Sequence, residues 1–158
     1  MGALAFVYRW VVGTWVGALF AFGALFAPAL FRAMTPPEAG AVVRQVIPAL
    51  DALGLGAAAI AVAAGWLLEG LGERRARARL VLLALAAALA GVSAGWVSPR
   101  MATLRAQAGA GISSLSREDP VRREFGRLHG ASSGLMLLEW LLVSAALALA
   151  PVRGARRE

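Results

Sequence analysis

Cysteine is absent from the 158 residues, which excludes disulfides, zinc–thiolate sites and a thiol nucleophile and leaves the redox compartment unmarked. Lysine is absent as well, so every basic residue is an arginine. There is one histidine, too few for paired histidine metal ligands or for bis-histidine haem ligation by this chain alone. Charge is scarce, at 16% of residues against about 25% in soluble domains. Phosphate-cradling G-x-x-x-x-G-K-[ST] loops, G-x-S-x-G elbows and DxD-type carboxylate pairs are all missing. No catalytic residue is therefore expected, and the chain leans away from being an enzyme. Its 18 glycines and 7 prolines follow no period, which rules out collagen-like repeats.

Apolar mass is what the chain has. Hydrophobic residues make up 59%, and the mean hydropathy is +0.70. Val11–Phe31 carries no charge, Ala52–Leu68 lies between Asp51 and Glu69, and Leu80–Pro99 lies between Arg79 and Arg100. Leu128–Val152 contains one acid, Glu139. A hydrocarbon core of about 30 Å needs roughly 20 apolar residues as helix, and all four runs qualify. Their content of Ala, Leu and Gly lacks the strict alternation of a barrel strand. The expected fold class is all-α: an integral membrane four-helix bundle in a single transmembrane domain. Its spans cover about 10–33, 51–70, 80–98 and 121–150, with a tail at 151–158. The first run is too long, and too poor in preceding charge, for a cleaved signal peptide. Phe6 stands where myristoylation would want Ser or Thr.

The connections carry start signals. Thr35-Pro36-Pro37-Glu38 combines an N-cap, proline at the first helical position and a capping-box acid. It predicts a short amphipathic interfacial helix through Val42, Val43, Val46 and Ile47 towards Pro48. Glu73–Arg79 reads as a tight solvated turn. Ser98-Pro99 predicts an end or kink of the third span, followed by a helix from Arg100 to about Ala108. Gly109–Ser116 reads as a loop, and Asp119-Pro120 starts a last helix that runs to Ala150.

The net charge of +7 would suggest nucleic acid in a soluble protein, but no basic patch here is interleaved with aromatics. The arginines flank apolar runs, so the expected partner is the lipid bilayer and the expected location the cell membrane, multi-pass. Each side of the membrane collects eight arginines. The short turn and tail bear theirs closest to span ends, which favours cytoplasmic termini. Small residues recur every four positions at Gly13, Gly17 and Ala21, at Ala57, Ala61 and Gly65, at Gly91 and Gly95, and at Gly126, Gly130 and Gly134. This spacing suits packing within the bundle, and it offers faces for a homo-oligomer. Trp10, Trp15, Trp66, Trp96 and Trp140 read as an interfacial belt.

Polar residues in the spans are costly in hydrocarbon and therefore informative. His129, with Ser132, Ser133 and Met136 on its face or flank, reads as an interhelical hydrogen-bonding group. It is also the candidate ligand of a haem, or of copper with Met101 or Met136. Glu139 is a packing acid or a step on a proton path.

Three segments carry a resemblance: Trp15-Val16-Gly17 through Ala27-Pro28-Ala29-Leu30-Phe31-Arg32, then Val97-Ser98-Pro99-Arg100-Met101, then Phe125-Gly126-Arg127-Leu128-His129-Gly130-Ala131-Ser132. Together they resemble the transmembrane-protein-205-like family, small four-helix membrane proteins grouped as a domain of unknown function. A weaker, fold-level likeness links that family to copper resistance protein D and to J-type protoporphyrinogen oxidase. The latter's family holds haem with a histidine early in the first helix, where this chain has Tyr8-Arg9-Trp10. The resemblance implies a fold and a location more than an activity.

Four-span topology puts Arg32, Asp51, Arg100, Arg127 and His129 at one membrane face. With Ser132 and Ser133 they are the ligand-binding candidates, an arginine-rich mouth for a small anionic ligand or lipid. Asp51 is expected among the arginines, and Glu139 apart from them. The alternatives are a haem or copper redox protein using His129, and a small transporter or proton path through Glu139. No cofactor is expected in the leading reading.

Overall fold

The computed structural model describes residues 2–69, 74–109 and 111–150. These residues are almost entirely helical, with no strand among them. The first helix comprises α1 (Gly2–Phe20), a π-helical turn (Ala21–Phe26) and α2 (Ala27–Ala33). α3 (Pro36–Glu69) follows; then come α4 (Arg74–Val92), a second π turn (Ser93–Val97) and α5 (Ser98–Gln107). A 3₁₀ turn at Ile112–Ser114 leads to α6 (Pro120–Ala148). Four helices are long and apolar enough to cross a membrane, so the chain is a multi-pass bundle. α1 packs on α3 and α6, and α4 packs on the same two from the other side, giving a square of antiparallel neighbours.

Local chemistry explains the ends. The Thr35 backbone N–H and hydroxyl both donate to Glu38 Oε2, at 3.0 and 2.7 Å, so α3 starts at Pro36. Asp119 Oδ1 accepts from the N–H groups of Val121 (2.8 Å) and Arg122 (3.4 Å), which caps α6. Between them, Gly109 and Gly111 take positive φ, +56° and +115°, and turn the chain where a side chain would strain it.

Two of the expected breaks do not occur. The segment after the first span is no separate interfacial helix, because α3 runs unbroken through Pro48. Proline removes one hydrogen bond and crowds the carbonyl four residues back, yet flanking turns in a long helix hold the axis. The third span likewise does not end at Ser98: Val97 and Ser98 are both right-handed helical, and the Ser98 N–H bonds back to the Ser93 carbonyl. In the first helix the Ala27 N–H reaches back to the Phe22 carbonyl in the same manner. Each π turn sits just before a proline, Pro28 or Pro99, and contains the residue four back from it, Ala24 or Gly95. The five-residue bond spares that carbonyl the clash with the proline ring and keeps the helix continuous.

The solvated turn expected at Glu73–Arg79 is helix from Arg74 onward, while 70–73 and the tail 151–158 lie outside the described residues. Small-residue spacing marks packing only in part. Ala57, Ala61 and Ala64 are buried, and a Cβ at Gly65 would touch Arg79. A Cβ at Gly13, Gly17, Gly91, Gly95, Gly126, Gly130 or Gly134 would meet open space. The glycine ridge of α6 therefore faces outward.

The interior is layered along the axis. One apolar cluster joins Tyr8, Val12, Trp15, Leu19, Leu83, Ala86, Val143 and Ala146 with the α3 alanines. A second, at the other end, joins Val97, Met101, Leu104 and Leu128. On α6 the chain passes Leu128, then Ser132, Met136 and Glu139, then Val143. The polar positions thus lie between the two apolar plugs.

Candidate functional site: a polar cavity inside the bundle

Between the plugs is a cavity of about 30 Å³ lined by all four helices. Leu19 and Phe22 come from the first helix, Ile47, Leu50 and Asp51 from α3, Ser93 from the second π turn, and Ser132, Met136 and Glu139 from α6. A single water needs roughly 10–15 Å³ of such space, so there is room for a water or a small cation.

Glu139 is 5% exposed, and its Oε1 accepts a 2.9 Å hydrogen bond from Trp15 Nε1. Trp15 is wholly buried, so it belongs to the site and not to an interfacial belt; Trp10, Trp66 and Trp96 are exposed. α3 passes this pair closely at Gly54. A Cβ there would lie 3.0 Å from Trp15 Nε1 and 3.2 Å from Glu139 Oε1. Asp51 and Ser93 line the same cavity. Asp51 is not at a span end. With α3 starting at Pro36, it lies about 22 Å of helix rise from that end and about 27 Å from Glu69, near mid-helix.

The grouping therefore differs from the one expected. Asp51 shares its cavity with Glu139 and makes no ion pair with an arginine among the described residues. The physical reason is the unbroken α3, which carries Asp51 inward. Arg32, Arg100, Arg127 and His129 are exposed. Arg100 pairs with Glu124, its Nε and Nη2 lying 2.7 and 2.6 Å from Oε1. His129 stacks on Phe125, rings 6.4 Å apart and 3° from parallel, with the Arg105 guanidinium 4.9 Å from the Phe125 ring centre. Ser132 and Ser133 part company: Ser132 lines the cavity, while the exposed Ser133 donates to the His129 carbonyl at 3.1 Å. The three candidate metal ligands are also dispersed, His129 on the surface, Met101 in an apolar plug and Met136 at the cavity. Among the described residues no group of three His, Cys, Asp or Glu could hold a metal ion.

Trp15, Ser93 and Gly54 are the site residues that sequence reasoning missed. A signal existed for Trp15, which continues the Tyr8, Val12, Leu19 stripe at helical spacing. None existed for Gly54, whose role depends on what crosses it.

The arrangement defines a class, a helical membrane bundle with an acidic, hydroxyl-lined chamber at mid-depth. The chain belongs to the family described as Domain of unknown function (DUF4149), whose model matches residues 10–110. That stretch holds Trp15, Asp51 and Ser93 and stops before α6 with Ser132 and Glu139. No curated protein and no solved structure matches the chain. The resemblance thus holds as far as a membrane domain of unknown function.

Proposed function

We propose that this protein binds a proton or small monovalent cation between Asp51 and Glu139 and passes it across the bilayer. The observation that carries the reading is that both carboxylates line one small cavity walled by all four helices. Two negative charges in so small a low-dielectric space need a compensating cation, and the chamber's acceptors offer one a place. Ser93 and Ser132 add hydroxyl oxygens suited to a hard monovalent ion or to a water relaying a proton. Trp15 occupies one lone pair of Glu139 and holds the carboxylate in place. The reading invokes no resident cofactor. It takes the cell membrane as the location, with cytoplasmic termini supported by the exposed Arg75 and Arg77 at the end of the third helix.

The test is flux in liposomes of purified protein, read with a pH-sensitive dye and with labelled sodium. Wild type is expected to dissipate an imposed gradient. Glu139→Gln should abolish flux with helicity and unfolding midpoint retained, and Asp51→Asn should reduce it at least tenfold. A wild type that moves neither ion, or flux indifferent to both substitutions, overturns the reading.

A further inference from the structure

Beside the chamber, the face between the first helix and α6 has an apolar groove of about 320 Å³ that opens sideways out of the bundle. Leu19, Phe20, Gly23 and Ala24 form one wall, and Met136, Leu137 and Trp140 the other. Leu19 and Met136 also line the polar cavity, so these two side chains border both the apolar slot and the chamber that holds the carboxylates. The slot exists because the first helix widens into its π turn here and has glycine at residue 23. A Cβ at Gly23 would already stand 3.3 Å from Met136 Cε.

We propose that the groove and chamber together form a site for a lipophilic amine that enters from the bilayer. Its apolar body lies in the groove, and its ammonium reaches past Met136 to Glu139 and Asp51. This rests on reading the chamber as a cation site, and it names an organic cation as a second occupant. Three features select that chemistry. The inner end is acidic and hydroxyl-lined, so it complements a cationic donor and repels an anion. The body of the slot is almost wholly apolar and, at roughly 300 Å³ or more, reaches the size of small-molecule pockets. Phe20 and Trp140 pair at its wall with ring centres 6.2 Å apart, and aromatic faces attract a passing ammonium. Met136, unbranched and flexible, is suited to swing aside. The small chamber limits the head to a primary or similarly compact ammonium.

The experiment uses the full chain in phosphatidylcholine nanodiscs, with octylamine and 1-octanol that each carry a diazirine on the alkyl chain. Labelled residues are mapped by mass spectrometry. The amine probe is expected to label the 19–24 and 136–140 segments, with unlabelled octylamine but not octanol competing. The Asp51→Asn, Glu139→Gln double variant should lower amine labelling at least tenfold and leave octanol labelling unchanged. Gly23→Leu, which fills the slot, should abolish labelling by both probes there; if it fails to fold, Ala24→Leu serves. Equal labelling by amine and alcohol, or labelling spread evenly over outward residues such as Leu85 and Leu141, overturns the proposal. Ion flux without amine is measured separately. Amine labelling that depends on the carboxylates while neither ion moves supports this site and removes only the transport reading.

Discussion

Glu139 keeps a carboxylate inside a bundle of apolar helices because one neighbour donates to it and another leaves room. Trp15 supplies the indole N–H at 2.9 Å, and Gly54 lets α3 pass the pair without a side chain of its own. Gly54→Ala should therefore push Trp15 and Glu139 apart and destabilise the bundle by about 1–3 kcal/mol, the usual cost of overpacking. Thermal unfolding in detergent would register it as a lower midpoint, and Gly56→Ala, where a Cβ meets open space, is the matched control. Trp15→Phe keeps the ring but removes the donor. A double-mutant cycle with Glu139→Leu, which removes the acceptor, should give a coupling of about 0.6–1.7 kcal/mol, the range of interhelical hydrogen bonds in membranes. Coupling near zero would mean that the bond contributes no stability.

The helices hold the site at depth through what they do at their prolines. Pro28 and Pro99 follow π turns, and the π turns contribute Phe22 and Ser93 to the cavity. Pro48 has no such turn, and its ring is exposed. Pro48→Ala should restore the N–H that bonds the Arg44 carbonyl and relieve the clash there, raising stability by up to about 3 kcal/mol. Spin-label distances between residues 38 and 60 should stay those of one continuous helix in both proteins. A large change in that distance would mean that Pro48 separates two elements. Its exposure is why the effect is separable from packing: no core side chain has to move.

The bundle closes at the end opposite the His129 surface. Tyr8 donates its hydroxyl to the Ala146 carbonyl at 3.3 Å, and the Arg79 guanidinium lies 5.0 Å from the Tyr8 ring centre. Arg79 Nη1 also reaches the Leu149 carbonyl at 3.5 Å, the outer limit of a hydrogen bond. The side chain is 1% exposed and ties α1, α4 and the end of α6 together. Arg79→Met keeps the apolar stem and loses the cation, and it should lower stability by about 1.5–3 kcal/mol, as for lost hydrogen bonds from charged groups. Arg77→Met, exposed on the same helix, should change the midpoint little. Equal effects of the two, measured by thermal unfolding in detergent, would reduce Arg79 to a topology signal.

Spans, fold class and the caps at Thr35 and Asp119 were legible in the chain because they depend on local quantities: run length against bilayer thickness, and side chains that satisfy the first N–H groups of a helix. Glu139 stood out for the same kind of reason, as one acid in a long apolar run. What covers a helix face is not a local quantity. The regular spacing of Gly126, Gly130 and Gly134 looked like packing, yet that ridge faces out, while the single Gly54 lies against the site. Asp51 looked like a span-end acid because the chain's charge pattern breaks there. Only the run of α3 through Pro48, and the four helices that close around its middle, put that carboxylate in the same chamber as Glu139.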